Sequence, residues 1–132
     1  MAGSTRNSTD LVNEVLAELG VLAAGQQVDP EDFNYVQVRL DPIFRMLNAL
    51  NICFYPDMGA IPGHWFQPLI SIIAGECAPK FGSQADWLIA MSSAGMGGPP
   101  SQVPYGSGKG AMALREMNRG RPTLERLRVE YF

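Results

Sequence analysis

The residues best equipped for chemistry in this 132-residue chain are few and scattered. His64 is the only histidine, and the two cysteines, Cys53 and Cys77, lie in separate apolar runs. One histidine and two distant cysteines do not give metal-ligand spacing, so no metal site is expected. His64 reads as a capping or surface residue. The cysteines read as buried, reduced thiols, the alternative being a disulfide. The stretch Gly106-Ser107-Gly108-Lys109-Gly110 looks at first like a phosphate-binding loop. It fails the test, because Val103 stands where the motif needs glycine and Gly110 where it needs Ser or Thr. Asp29, Glu31 and Asp32 cluster, but a first helical turn accounts for carboxylates there without catalysis. No catalytic residue, cofactor or metal is therefore expected, and the chain does not read as an enzyme.

Charge is the stronger signal. Residues 109–132 hold Lys109, Arg115, Arg119, Arg121, Arg126 and Arg128 against Glu116, Glu125 and Glu130, a net +3. With the whole chain at −3, residues 1–108 carry −6. An acidic body with a basic end predicts an acidic partner for that end, or else a solvated tail. The acidic body also argues against strong nucleic-acid binding by the globular part.

The elements that must carry these groups are helical. Leu11, Val15 and Leu19, with Val12 and Leu16 alongside, predict a helix over residues 9–19, capped by Ser8 or Thr9 and closed by Gly20. Asp29 as cap and Pro30 at the first position open a second helix. Phe33, Val36, Leu40, Ile43, Phe44, Leu47 and Leu50 continue it. Pro42 falls inside and costs about 3 kcal/mol, but the apolar phase runs across it, which predicts a kink within one helix. Residues 52–55 read as a short extended segment and Pro56-Asp57-Met58-Gly59 as a turn. A third helix is expected over residues 64–78, with Pro68 near its first turn and Pro79 stopping it. A fourth is expected over residues 84–94, capped by Ser83, apolar at Trp87, Leu88 and Met91, and ended by Gly95. A fifth spans residues 111–118 and closes at Gly120 before Pro122.

Between the last two helices the chain is rich in glycine and proline. Gly97, Gly98, Gly106, Gly108 and Gly110 are read as a hinge. The division that follows is a helical body over residues 1–95, then a flexible loop, short helix and extended C-terminal arm over 96–132. In that arm Arg126, Leu127, Arg128, Val129, Glu130 and Tyr131 alternate as a half-buried strand does. A lone strand predicts pairing with another chain, or with residues 52–55 of its own. Residues 1–10 show no secretory signal, and the apolar run over residues 65–78 is too short and too polar to span a bilayer, so a soluble protein is expected.

Three segments carry a family resemblance. They are Asp10-Leu11-Val12 through Glu18-Leu19-Gly20-Val21; Ile61-Pro62 through Ala78-Pro79-Lys80-Phe81-Gly82; and Gly120-Arg121-Pro122-Thr123 through Tyr131-Phe132. In this order they resemble the head-to-tail connector adaptors of tailed phages, the group that includes packaged-DNA stabilisation (head completion) proteins. The resemblance implies a mainly α fold, a small bundle of four to five helices with an extended C-terminal arm. It implies a virion protein forming a ring, commonly dodecameric, beneath the portal protein. Such a ring extends and seals the channel for packaged DNA and offers the attachment site for a tail or nozzle protein. The arm residues Arg119, Arg121, Arg126, Leu127, Arg128, Val129, Tyr131 and Phe132 would then dock on the portal. Two other classes stand beside this one. They are a helical interaction module binding one acidic partner through the basic tail, and a small enzyme with a site between helices.

Overall fold

The first apolar stripe folds as α1, Ser8–Glu18, with Leu11, Val12, Val15 and Leu16 fully buried. This is a computed structural model, and it describes residues 5–20, 27–82 and 84–118. The α1 cap is Asn7, not Ser8 or Thr9: its Oδ1 accepts the Asp10 N–H at 2.9 Å. The Ser8 N–H instead goes to the Met58 carbonyl at 2.9 Å, so the entering chain is tied down one residue earlier than expected. Gly20 has φ 81°, the left-handed conformation that closes a helix at low cost.

Asp29 caps α2, Pro30–Ala49, by accepting the Glu31 N–H at 2.9 Å. The helix is one element across Pro42, and Val36, Leu40, Ile43, Phe44 and Leu47 are buried on both sides of it. Pro42 is tolerated because it lies on the solvent face, and the Val38 carbonyl it strands belongs to a residue 55% exposed. The end of α2 is a Schellman turn built on Asn51, with φ 60°. The Asn51 N–H donates to Asn48 O at 3.1 Å and the Ile52 N–H to Leu47 O at 2.9 Å. That turn folds Ile52 and Cys53 into the core, so the extended segment expected over residues 52–55 does not form. The short strand pairing is elsewhere: β1, Thr5–Arg6, runs antiparallel to β2, Ile61–Pro62.

A 3-10 turn, Gly63–Trp65, leads into α3, Phe66–Phe81. Pro68 sits in its first turn, where an N–H would be unpartnered anyway. Pro79 does not stop the helix as expected. It removes one bond near the end, and α3 closes two residues later with the Gly82 N–H on Ala78 O at 3.1 Å. The added residues set Phe81 edge-on to Tyr35, centroids 5.8 Å apart. The fourth helix, α4, is Ala85–Ala94; Gln84 occupies its cap position, and the expected cap Ser83 lies outside the described residues. Trp87, Leu88 and Met91 pack against the core. The fifth, α5, is Lys109–Asn118 and begins two residues earlier than expected. Gly120, Pro122 and the alternating segment lie outside the described residues.

α3 sits at the centre, packed against α1, α2, α4 and α5. Its seam with α4 is backbone on backbone. A Cβ at Gly95 would stand 2.6 Å from the Ser71 carbonyl oxygen, and one at Gly75 would stand 2.8 Å from that of Met91. The core also takes in Met96, Ala111 and Leu114, so it runs across the division expected after residue 95.

Gly95→Ala should force α3 and α4 apart and lower stability by about 1–3 kcal/mol, read as a lower urea midpoint at unchanged slope. Cys53 and Cys77 are buried and unpaired, and burial pushes their thiols up to about 12 and about 11. An aromatic disulfide reagent should therefore leave both untouched in the native protein and titrate both in denaturant.

Candidate docking surfaces

The five glycines expected as a hinge sit inside a bonded loop. Gly97, Gly98, Gly106, Gly108 and Gly110 are all buried. Met96 O accepts the N–H of Gly106 at 2.7 Å and of Gly108 at 3.1 Å, and Gly95 O accepts that of Ala111 at 3.2 Å. From α4, Ser92 Oγ donates to Gly97 O at 2.9 Å, with Gly98 O at 3.2 Å. Arg115 donates back to Gly106 O at 3.4 Å. These glycines allow close approach: a Cβ at Gly110 would meet the Ala94 and Pro68 carbonyl oxygens at 3.0 Å. The expected docking residues Arg119, Arg121, Arg126, Leu127, Arg128, Val129, Tyr131 and Phe132 lie outside the described residues.

Tyr105 pins the loop to the helices. Its hydroxyl lies 3.2 Å from Glu76 Oε2 on α3 and 2.9 Å from Met46 Sδ on α2. Burial raises the Glu76 carboxyl above its ordinary range, and the hydrogen bond from Tyr105 offsets part of that rise. Burial and the facing carboxylate push the Tyr105 phenol up to about 12. A cavity of about 260 Å³ opens beside this pair, lined by Glu76, Pro79, Ser92, Pro99, Pro100 and Tyr105. On the other side of Glu76, a groove of about 250 Å³ runs between α2 and α3, lined by Arg39, Pro42, Ile43, Met46 and Glu76.

Two further groups gather around α2. The Arg39 guanidinium lies 3.6 Å from the Tyr35 ring centroid, and Lys80 Nζ lies 5.1 Å from the same centroid and 5.4 Å from that of Phe81. Around the helix, the Tyr55 hydroxyl donates to Asp41, which also holds Arg45 at 2.8 Å. Those two hydrogen bonds, Tyr55 first, keep the Asp41 carboxyl below its usual range. Beyond them Leu50, Phe54 and Tyr55 present apolar surface, with Phe54 51% exposed and tilted against Trp65 at 4.8 Å.

Among the described residues, no three His, Cys, Asp or Glu side chains are placed to share a metal ion, and no helix is long and apolar enough to cross a membrane. The gathered groups are rings against cations and a ring against a carboxylate, and such pairs present charge on a stiff apolar base. Sequence reasoning missed the cluster of Tyr35, Arg39, Lys80 and Phe81. Tyr35 and Arg39 stand one helical turn apart, which was a signal, but their meeting with Lys80 and Phe81 depends on how α2 lies on α3.

Glu76 gives a pH test. Its folded pKa is raised, so between its ordinary value of 4.5 and the folded value the native state holds a proton that the unfolded chain has lost. Its contribution therefore falls as pH rises through that window. Glu76→Gln should melt higher than the parent protein at neutral pH, and the two should converge as pH drops below the ordinary Glu range.

Comparison of the chain with protein-family models, with curated proteins and with solved structures gives no match.

Proposed function

We propose that the protein is a virion structural component, a ring-forming head-to-tail adaptor of a tailed phage that docks beneath the portal. It extends and seals the channel for packaged DNA and provides the attachment site for a tail or nozzle protein. The observation that carries this reading is the ordered resemblance of three chain segments to such adaptors. The first segment spans α1 and its Gly20 stop, and the second spans β2 and α3. These two helices pack directly on each other. The third segment ends the chain and belongs to the basic stretch, +3 against −6 for residues 1–108. Charge of that sign suits an acidic portal surface, and the interleaved Leu127, Val129, Tyr131 and Phe132 supply apolar area to bury against it.

The test is the mass of the complex formed with the portal ring of the same genome. Binding of about one adaptor per portal subunit is expected. Removing residues 119–132 should abolish docking while the shortened chain keeps its helical circular dichroism and melts cooperatively. A shortened chain that still loads the portal normally refutes the docking role of the arm. A full-length chain that ignores the portal refutes the adaptor.

A further inference from the structure

Residues 1–108 hold four cations, Arg6, Arg39, Arg45 and Lys80. Two are ion-paired: Arg6 with Glu14 at 3.2 Å and Asp10 at 4.0 Å, and Arg45 with Asp41 at 2.8 Å. Arg39 and Lys80 have no carboxylate within 4.0 Å among the described residues. They converge on the Tyr35 ring instead. A ring attracts a cation through its quadrupole but does not neutralise it, so both charges stay available to a partner. Arg39 commits one donor to Tyr35 O at 3.0 Å and keeps the rest of its five-donor fork. The carboxylate one turn before Lys80, Glu76, is engaged by Tyr105. The result is a charge of +2 held on two aromatic rings in an otherwise acidic body.

The complement lies on α1. α1 turns Leu11, Val12, Val15 and Leu16 into the core against α2 and α3, which leaves its other face outward. That face carries Asp10, Glu14 and Glu18, spaced by four residues and so about 6 Å apart along one stripe. Arg6 answers only one of the three charges, which leaves −2.

We propose that these two faces join neighbouring copies: the patch of Tyr35, Arg39, Lys80 and Phe81 on one copy receives the Asp10, Glu14 and Glu18 stripe of the next. The inference rests on the ring reading above and names the contact that closes the ring. Two different complementary patches on one chain make a heterologous contact, which repeats from copy to copy until rotation closes it. Arg39 can take one carboxylate through two parallel N–H bonds, and Lys80 serves a second as a point charge. Duplex DNA suits the patch less well, because two cations neutralise few phosphates and the acidic body repels the rest.

Charge exchange tests it with the full chain. One variant carries Arg39→Glu with Lys80→Glu, and the other carries Glu14→Lys with Glu18→Lys. Self-association is read by sedimentation velocity, and loading of the portal ring by mass. Each variant alone should associate with itself at least about tenfold more weakly than the parent protein. An equal mixture should recover association, since like charges then meet only within each variant. Recovery also shows that both variants are folded. Undiminished association of either variant alone overturns the proposal, as does a mixture that fails to recover. Full portal loading by each variant separately overturns it while leaving the adaptor reading standing. A parent protein that stays monomeric both alone and with portal overturns both. Loss of duplex-oligonucleotide binding in the first variant, with self-association intact, overturns it in favour of a nucleic-acid site.

Discussion

The structure depends on how closely α4 can approach α3. α3 is apolar around most of its circumference, with Leu69, Ile70, Ile72, Ile73, Ala74, Cys77 and Ala78 buried, so it must be covered on several sides at once. Gly75 and Gly95 let α4 lie against it with no side chain between the backbones. Everything after that seam inherits its position. Gly95 and Met96 offer the carbonyls that hold the loop and the start of α5, and α5 returns Ala111 and Leu114 to the core beside α3. Widening the seam by one methyl group would therefore displace three elements together.

Electrostatics divides the surface along similar lines. On the outer side of α2, Arg45 is spent on Asp41, with Tyr55 bonded to the same carboxylate. Near β1, Arg6 is spent on α1 and also lies over the Phe66 ring at 4.5 Å. Among the described cations of residues 1–108, Arg39 and Lys80, along the line where α2 meets the end of α3, are the two with no carboxylate within 4.0 Å. Exposed ion pairs of the first kind contribute little to stability. The second kind is a local excess of charge that folding alone does not require.

Much of this was legible in the sequence where the information is local. The second helix was readable because Asp29 and Pro30 begin it and its apolar period survives Pro42. The first was readable to within a residue, and the error at its cap arose because Asn7, Ser8 and Thr9 are all competent caps while the choice is made by the distant Met58 carbonyl. Pro79 was misread for a related reason: a proline ends a helix only if nothing beyond it repays continuing, and Phe81 finds Tyr35 two residues on. The pairing of residues 5–6 with 61–62 left no trace in composition. The cluster on Tyr35 was half visible, since its α2 members share a face but its α3 members arrive by packing.

Pro42 has a mechanical meaning as well. α2 is a twenty-residue rod along one flank of the body, with a single rung missing where the Val38 carbonyl has lost its donor. A rod with one absent rung bends there before it bends anywhere else. The missing rung faces solvent and the opposite side, at Leu40, Ile43 and Phe44, is clamped in the core, so bending is confined to one plane and one direction. Load applied along this flank would be taken up as curvature at one known place, and the packing beneath would be spared.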